Sequence, residues 1–293
     1  MIKTPDTPAP IELQTTQTLS DAEFKKISAF MESHTGIKMP ESKKVMIQAR
    51  LQSRLKALNL HSFGEYIDYV FSSNQNAATE VTTMVDILTT NLTHFFRESQ
   101  HFDYMTAKIL PAFAASGITK PEIWSAGCSS GEEPYTLSIV MQEFMRKNPG
   151  KIYDYNILAT DISTRMLQKA SQAVYPLDTI EKIPLEMKKL YFLKGTDPDN
   201  PRTRLKPEVR NHVKFGRLNF MDKSYSVPTI KNIIFCRNVL IYFDKPTQGE
   251  VIKKLTDCLQ VGGYLFLGHS ETIFGLDLPL KIVAPTVFQK IRN

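Results

Sequence analysis

The strongest constraint on the fold of this chain lies in residues 121–135, which read Pro-Glu-Ile-Trp-Ser-Ala-Gly-Cys-Ser-Ser-Gly-Glu-Glu-Pro-Tyr. Ile123 and Trp124 predict the end of a short buried strand. The small residues from Gly127 to Gly131 predict a tight loop, and Glu132 begins a helical pattern. Because glycine has no Cβ, such a loop lets the backbone approach a ligand closely. This order is typical of the first half of a nucleotide-binding βαβ unit, although a plain tight turn gives the same pattern.

Acidic residues beside the loop indicate what kind of ligand it accepts. Glu132 and Glu133 lie at the start of the helix, where a phosphate group would otherwise bind. They favour a ligand without phosphate and with positive charge, and S-adenosylmethionine fits that description. A second apolar run, residues 157–160, ends in Asp161, which is placed to accept hydrogen bonds from the two ribose hydroxyls. An alternative role for Asp161 is to cap the helix that begins at Ser163.

Composition limits the class of protein. A chain of 293 residues, 42% of them hydrophobic, can bury a large core in one or two domains. Its three cysteines have neither metal-ligand spacing nor a disulfide framework, which indicates a reducing compartment. The first residues lack the apolar run of a signal peptide, and no stretch approaches about 18 apolar residues. The sequence therefore predicts a cytoplasmic protein that does not insert into a membrane.

The basic residues are unevenly distributed. The net charge is +6, and Lys and Arg cluster at residues 38–56 and again at 188–217. Two such patches favour an acidic macromolecular partner, either a nucleic acid or a carboxylate-rich protein. Solvated basic faces without a partner are the alternative.

The pattern along the chain changes at about residue 90. Residues 1–18 are rich in Pro and Thr and predict a disordered tail. Apolar residues at helical spacing then predict four helices, which form a small all-α domain over residues 19–90. The second of these helices, about 41–58, has a basic stripe beside its apolar one, where an acidic helix could bind. The stripe consists of Lys43, Arg50 and Arg54.

Strands and helices alternate over residues 91–293 and predict a doubly wound α/β sheet, with ligands at the carboxyl ends of its strands. Within this region, residues of about 185–217 predict a small antiparallel β insert, because short strand-like pieces are joined there by Gly, Pro and Asp. These pieces are Leu190–Leu193, Thr203–Lys206 and His212–Phe215.

Five separated motifs give the chain a resemblance to a known family. They are Thr-Thr-Asn-Leu-Thr-His-Phe-Phe-Arg-Glu at 89–98, Trp-Ser-Ala-Gly-Cys-Ser-Ser-Gly-Glu-Glu-Pro-Tyr at 124–135, Ala-Thr-Asp-Ile at 159–162, Cys-Arg-Asn-Val-Leu-Ile-Tyr-Phe at 236–243 and Gly-His-Ser-Glu at 268–271. In this order they resemble the CheR-type chemotaxis receptor methyltransferases, from about residue 20 to the C-terminus. The resemblance implies a Rossmann-like class I methyltransferase fold behind an all-α domain. It also implies methyl transfer from S-adenosylmethionine to glutamate side chains of chemoreceptors, with S-adenosylhomocysteine as the product.

The resemblance also implies site residues. Positions that match cofactor contacts in the family are Asn91, Thr93, Arg97, Glu133, Asp161, Asn219, Phe220, Arg237 and Asn238. Arg97 and Tyr242 match residues near the transferred methyl group, and no metal is expected. In the family, the basic second helix faces the glutamate-bearing helices of the receptor. The matching positions here are Arg50, Arg54 and Lys56.

One departure from the family concerns the β insert, which can bind a peptide from the receptor's C-terminus through a glycine-rich loop. The corresponding loop here, residues 194–201, has a single glycine, and Pro198 and Pro201 restrict its backbone. The departure argues against peptide binding at the insert. A monomer is the expected oligomeric state.

The implied reaction places modest demands on the protein. A glutamate has a pKa of about 4.3 in water, so it is ionised at pH 7 and needs no general base. Aligning oxygen, methyl carbon and sulfur can supply roughly 7 to 11 kcal/mol. Arg97 or Tyr242 is therefore predicted to position the acceptor by hydrogen bonding. His94 and His269 are predicted to be structural rather than basic catalysts, and Cys236 to be a buried residue rather than a nucleophile.

Two rival functions stay open at this point. The basic patches also fit a nucleic-acid methyltransferase, but amino-methylating members of that class carry Asn or Asp before Pro-Pro and an aromatic residue. This chain has residues 237–240, Arg-Asn-Val-Leu, at the corresponding place, so no nucleic-acid partner is expected. A binding protein that keeps the fold as a scaffold is the second rival. The glycine loop, Asp161 and Arg97 argue against it.

Overall fold

The computed structural model describes residues 17–73, 75–273 and 275–292. The predicted disordered tail lies outside these residues except for residues 17 and 18. Within the described part, four α-helices precede residue 90, as the apolar spacing predicts. They are α1 (Asp21–Thr35), α2 (Lys44–Leu58), α3 (Phe63–Val70) and α4 (Gln75–Leu88).

The first helix shows how local sequence sets these boundaries. At its start, the Glu23 N–H donates to Ser20 Oγ, and the Ser20 N–H donates to Glu23 Oε2 at 2.7 Å. This reciprocal capping box sets the start of the helix. The helix ends at Gly36, whose φ of 73° is a left-handed conformation that favours glycine. The apolar faces of the four helices share one core, which includes Phe24, Leu51 and Tyr66.

The rest of the chain is built on a seven-stranded sheet, which confirms the predicted doubly wound architecture. The strand order is β6-β2-β1-β7-β8-β10-β9, with parallel pairing from β6 to β8 and antiparallel pairing around β10. The strands are β1 (Glu122–Ala126), β2 (Asn156–Asp161), β6 (Val213–Arg217), β7 (Lys231–Cys236), β8 (Leu259–Leu267), β9 (Leu280–Ala284) and β10 (Val287–Lys290).

Helices cover both faces of this sheet. Successive residues of β7 point to opposite faces, so Ile233 and Phe235 enter one apolar cluster while Ile234 enters the other. Both faces are therefore buried. The helices are α5 (Gln100–Tyr104), α6 (Leu110–Ala115), α7 (Glu132–Lys147), α8 (Thr164–Gln172), α9 (Leu185–Tyr191), α10 (Pro207–Arg210) and α11 (Lys245–Asp257), with a π-helical turn at Met105–Ile109 between α5 and α6.

The small antiparallel insert is present, but one of its three predicted strands belongs to the main sheet instead. Its sheet has the order β3-β5-β4, formed by Val174–Pro176, Arg202–Leu205 and Phe192–Lys194. The predicted third piece, His212–Phe215, instead belongs to β6 and pairs parallel with β2 in the main sheet. Burial of Val213 against the main core explains this placement. The third strand of the insert is instead β3, Val174–Pro176, which follows α8 in the chain.

The helical N-terminal part rests on the carboxyl edge of the sheet. Asp86 Oδ2 accepts hydrogen bonds from Thr164 Oγ1 at 2.6 Å and from the Arg165 N–H at 3.2 Å. On the other side, Asn219 Nδ2 donates to the His34 carbonyl at 2.7 Å. These contacts bring the segment between α1 and α2 over the strand ends. Among the described residues, no helix has both the length and the apolar character needed to cross a lipid bilayer.

Candidate functional site

A cavity lies at the carboxyl ends of β1, β2 and β7, beneath the segment between α1 and α2. Every position that the resemblance assigned to the cofactor lines this cavity, although these residues come from five separate parts of the chain. They are Asn91, Thr93, Arg97, Glu133, Asp161, Asn219, Phe220, Arg237 and Asn238. Tyr242 lines it too. A cavity at this edge is the ligand site that a doubly wound sheet favours.

The loop after β1 is glycine-rich for two different reasons. Gly127 has a φ of 87°, and a Cβ on it would lie 2.5 Å from the Val239 side chain. Gly131 has a φ of 97°, and its Cβ would clash with Ala170 and the Tyr175 hydroxyl, both at 2.9 Å. Only Gly127 lines the cavity. The second glycine therefore serves the packing of α7 rather than the approach of a ligand.

The two acids after the loop have different surroundings. Glu132 is buried away from the cavity, where its Oε2 accepts a hydrogen bond from Ser130 Oγ at 2.7 Å and burial raises its pKa. Glu133 faces the cavity, and its two oxygens accept from Ser125 Oγ at 2.7 Å and from Arg237 Nε at 2.8 Å. Of the two acids, only Glu133 can contact a ligand.

Asp161 holds the turn from β2 to α8 and one wall of the cavity. Its Oδ2 accepts from the Ser129 N–H at 2.8 Å, and its Oδ1 accepts from the Ser163 N–H at 2.9 Å. Burial raises its pKa, while these two N–H donors act in the opposite direction. The cap of α8 is the Ser163 side chain, which accepts from the Met166 N–H. Asp161 is therefore not the cap, and it lines the cavity.

Arg237 joins three parts of the site from a buried position at the end of β7. Besides its bond to Glu133, its Nη2 donates to the Arg97 carbonyl at 2.7 Å, and its Nη1 lies 2.9 Å from His101 Nδ1. The guanidinium also lies over the rings of Phe102 and Phe235. Most of its donors thus serve the protein itself. Arg237 positions the other site residues as much as it lines the cavity.

His101 supports Arg237 from behind the cavity wall, and none of the five motifs includes it. Burial and, next, the charge of Arg237 lower its pKa to about 4, so the ring is neutral at pH 7. Its Nδ1 accepts from Arg237, and its Nε2 lies 2.9 Å from Thr286 Oγ1. Glu98, His101 and His269 bring possible metal ligands within 4.8 Å of one another. A cation there would lie beside the Arg237 guanidinium, which already uses the Nδ1 lone pair.

Arg97 and Tyr242 flank the mouth of the cavity. Arg97 Nη1 donates to the Leu92 carbonyl at 2.9 Å, which leaves further N–H groups for a ligand. Lys43 Nζ lies 5.4 Å from the centroid of the Tyr242 ring, and Lys43 also lines the cavity. Burial and, next, the charge of Arg50 lower the pKa of Lys43. Lys43 is therefore the member of the basic stripe that reaches the site.

The other two members of the predicted basic stripe on α2, Arg50 and Arg54, form hydrogen bonds within the helical domain. Arg54 pairs through Nε and Nη2 with both oxygens of Glu80, at 2.9 and 2.7 Å. Arg50 Nη1 donates to three carbonyls at the end of α4, those of residues 87–89. Arg54 and this part of Arg50 are therefore engaged within the helical domain. Lys56 is exposed.

Cys236 and Phe95 both lie in apolar surroundings. Cys236 is fully buried, and burial raises the pKa of its thiol well above the usual range, which agrees with the prediction that it is not a nucleophile. Phe95 packs edge-on against Tyr175 and Phe192 and belongs to the core.

Comparisons with known proteins agree with this site. Residues 22–89 match the family model described as CheR methyltransferase, all-alpha domain, and residues 91–288 match CheR methyltransferase, SAM binding domain. The chain is 37% identical to the chemotaxis protein methyltransferase of Salmonella typhimurium, over 94% of this chain and 93% of that one. It is 36% identical to that of Escherichia coli, over 92% and 91%.

Likeness to solved structures is weaker. The magnesium protoporphyrin IX methyltransferase of Synechocystis with bound SAM is 13% identical and has a TM-score of 0.34, over 78% of this chain and 76% of that one. A TehB-like SAM-dependent methyltransferase from Corynebacterium glutamicum is also 13% identical, with a TM-score of 0.35, over 66% and 96%. Scores this low support no conclusion.

Proposed function

The chain belongs to the CheR methyltransferase family, and on this premise we propose that it methylates glutamate side chains of chemoreceptors for adaptation in chemotaxis. S-adenosylmethionine donates the methyl group, and the products are a glutamate methyl ester and S-adenosylhomocysteine. One observation carries the proposal: residues from four of the five separated motifs converge on one cavity at the carboxyl edge of the sheet.

The charges of the cavity wall suit this donor. S-adenosylmethionine has a sulfonium, an ammonium and no phosphate, and Glu133 and Asp161 place two carboxylates on the wall. Asp161 would accept hydrogen bonds from the two ribose hydroxyls, and its position at the end of β2 supports that role. Glu133, held by Ser125 and Arg237, would face the positively charged methionine part.

Further cavity residues would complete the donor site. Asn91 and Thr93 enter from the segment before α5, and Asn219 and Phe220 enter from the segment after β6. The side chain of Asn219 already bonds to the His34 carbonyl and to the Met221 N–H. Contact with the donor through Asn219 would therefore depend on a position that α1 helps to fix.

The acceptor side of the site would work by alignment. An ionised glutamate attacks the methyl carbon, the carbon–sulfur bond breaks, and sulfur leaves with the electron pair as a neutral thioether. No proton needs to be removed, since the carboxylate is already ionised at pH 7. Arg97 and Tyr242, at the mouth, would hold the carboxylate oxygen in line with carbon and sulfur. A close guanidinium pair also reduces the nucleophilicity of that oxygen, which favours Tyr242 as the more direct contact.

Recognition of the receptor would use the helical domain. Lys56 presents its charge on the surface of α2, whereas Arg54 and part of Arg50 are engaged within the domain. For the β insert, we propose no peptide binding through the loop after β4. Asp197 Oδ1 accepts hydrogen bonds from the N–H groups of Asp199 and Asn200, and the Gly195 N–H donates to the Arg202 carbonyl at 2.8 Å. These bonds close the loop upon itself.

A labelling experiment tests the function. The protein is incubated with methyl-tritiated S-adenosylmethionine and a purified cytoplasmic receptor fragment. We expect label on the fragment that is released as volatile methanol by mild base, which is the behaviour of a carboxyl methyl ester. Asp161→Ala should abolish transfer and weaken binding of S-adenosylhomocysteine by about tenfold or more, because two hydrogen bonds to a charged group are lost. Asp178→Ala, at an exposed acid of the insert, is the matched control. Label on RNA instead of the fragment, or no uptake of the donor, would overturn the proposal.

A further inference from the structure

Glu271 has an unusual environment for a carboxylate that does not line the cavity. It is 6% exposed, and its two oxygens accept hydrogen bonds from four backbone N–H groups. The donors are Asn238 at 3.0 Å, Val239 at 2.9 Å, Leu240 at 2.7 Å and Gly268 at 2.6 Å. Buried charge is unfavourable unless it is well paired, and these donors supply that pairing. Three of the four belong to the segment that follows β7.

The backbone of that segment is shaped so that its N–H groups can converge. Asn238 has a φ of 58°, in the left-handed region, and consecutive N–H groups around such a residue form a concave anion site. Gly268 must lack a side chain, because its Cβ would lie 2.7 Å from Asn238 Nδ2 and 2.9 Å from Glu271 Oε2. The motif Gly-His-Ser-Glu at 268–271 thus has a physical explanation. Gly268 lets the backbone lie close to Asn238, and Glu271 supplies the carboxylate that the N–H groups bind.

A second contact holds the same segment, residues 238–243, through its backbone carbonyl groups. Gln248 Nε2, on α11, donates to the Leu240 carbonyl at 2.9 Å and to the Phe243 carbonyl at 3.1 Å. Between these two anchors lies a single 3₁₀ turn, Leu240–Tyr242. The segment therefore has little freedom to shift relative to the sheet. The last residue of this turn, Tyr242, lines the cavity near its mouth.

We propose that Glu271 is a positioning residue for methyl transfer, whose ionised carboxylate fixes residues 238–240 and thereby aims Tyr242 at the acceptor glutamate. The proposal rests on the proposed function, since it needs Tyr242 to act on an acceptor. Glu271 itself touches neither donor nor acceptor. Its effect passes through the backbone, because a displacement of about 1 Å at an aligning group is enough to slow a reaction about a hundredfold.

The charge of Glu271 should matter as well as its shape. In Glu271→Gln the side chain keeps its length, but one of its oxygens is replaced by an NH₂ group. That group donates hydrogen bonds and cannot accept them. It would face N–H donors that now lack a partner, so the segment should move away from it. Glu271→Asp keeps the charge but withdraws the carboxylate by one methylene group.

The test compares Glu271→Gln with Tyr242→Phe and with the double variant, using the receptor fragment as methyl acceptor. We expect Glu271→Gln to lower kcat by about tenfold or more. In the Tyr242→Phe background the further loss should nearly vanish, because both changes remove the same alignment. Glu271→Asp provides the same comparison if the Gln variant folds poorly.

Glu122→Gln is the matched control for lost stability. Glu122 also accepts several hydrogen bonds and pairs with the buried Lys231, but it lies at the amino end of β1, away from the cavity. Its variant should lower the melting temperature without the loss in kcat. Independently of methyl transfer, hydrogen exchange of the amides of residues 238–240 should accelerate in Glu271→Gln and stay unchanged in Glu122→Gln.

The possible results distinguish failure of the proposed methyl transfer from failure of the role proposed for Glu271. A wild-type enzyme that transfers no methyl group to the fragment contradicts the proposed function, whatever Glu271 does. With an active wild type, an unchanged kcat in Glu271→Gln overturns the positioning role. Fully additive losses in the double variant, or an equal loss in Glu122→Gln, overturn it too. Unaltered exchange at residues 238–240 would show that the carboxylate does not hold the segment.

Discussion

Arg237 and Glu133 form a buried ion pair, with 2.8 Å between Nε and Oε2, that joins the end of β7 to the start of α7. These residues are 104 positions apart in the chain. The same guanidinium bonds to the Arg97 carbonyl and faces His101. One side chain therefore sets the relative positions of three of the segments that line the cavity.

Arg237→Met tests this bridging role. The variant should lower the free energy of unfolding by about 3 kcal/mol, because Glu133 would remain partly buried without its cation. It should also weaken binding of S-adenosylhomocysteine, since Glu133 and Arg97 lose their common support. Chemical denaturation and calorimetry measure the two effects. Arg146→Met is the control and should cost less than about 1 kcal/mol, because Arg146 is exposed and Glu143 keeps Lys147 as a partner. Equal stability of the two variants would contradict the bridging role.

His101 gives the fold a definite dependence on pH. Its pKa is about 4 in the folded protein and 6.5 in an unperturbed chain, so the unfolded state takes up the proton first as the pH falls. The stabilisation by neutral His101 is complete above pH 6.5 and is lost as the pH falls from there toward 4. The slope it contributes approaches about 1.4 kcal/mol per pH unit.

The measurement is the free energy of unfolding at several values between pH 7 and pH 4.5. His101→Gln removes the titrating group while keeping an acceptor for Arg237, so its stability should fall less steeply over this range. His61→Gln, at an exposed residue of the helical domain, should retain the wild-type slope. Parallel curves for His101→Gln and wild type would mean that other groups cause the acid sensitivity.

We predict that Arg54 stabilises the helical domain, whereas Lys56 contributes to binding of the receptor fragment. Glu80 is 4% exposed and also accepts from the Tyr66 hydroxyl at 2.8 Å, so Arg54→Ala leaves a buried carboxylate without its cation. We expect a loss of about 3 kcal/mol in stability. Lys56→Ala should leave the unfolding free energy within about 0.5 kcal/mol and raise only the KM for the receptor fragment. Urea denaturation and steady-state kinetics distinguish the two. Unchanged stability in Arg54→Ala would contradict this division.

Local sequence was sufficient for the features that depend on neighbours in the chain. The four helices before residue 90 and the glycine loop at residues 127–131 follow from spacing and side-chain type, and the structure contains both. The resemblance brought the cofactor positions together, and the structure places them around one cavity. Each of these predictions used only a short window or a family motif.

The features that escaped prediction depend on partners far along the chain. His212–Phe215 has the same local pattern whether it pairs with the insert or with β2, and only the core around Val213 decides between them. The pairing of Arg54 with Glu80 likewise joins α2 to α4, and the spacing within α2 does not indicate it. The roles of His101 and Glu271 likewise depend on β7 and the segment after it. Spacing in one element carries no information about such contacts.

The mouth of the cavity has an apolar edge that should contact the acceptor. Leu92 is 80% exposed, Ile241 is 48% exposed, and both line the cavity beside Arg97 and Tyr242. A helix that delivers a glutamate to this mouth must pass over these side chains and cover them. Burial of a leucine side chain is worth about 2 kcal/mol, so Leu92→Ser should raise the KM for the receptor fragment by roughly tenfold or more. The Kd of S-adenosylhomocysteine should stay near the wild-type value, because the change lies at the mouth.

Ile282→Ser is the control for this prediction, because Ile282 is 66% exposed on the edge strand β9, which does not line the cavity. It removes a similar exposed apolar side chain and should leave KM unchanged. The rise in KM caused by Leu92→Ser should persist at high salt, because it comes from a lost apolar contact. The rise caused by Lys56→Ala should become smaller, since salt screens charges. If Leu92→Ser and Ile282→Ser gave the same KM as wild type, the acceptor would have to reach Tyr242 without crossing Leu92, and the entry path would lie on the side of Lys43.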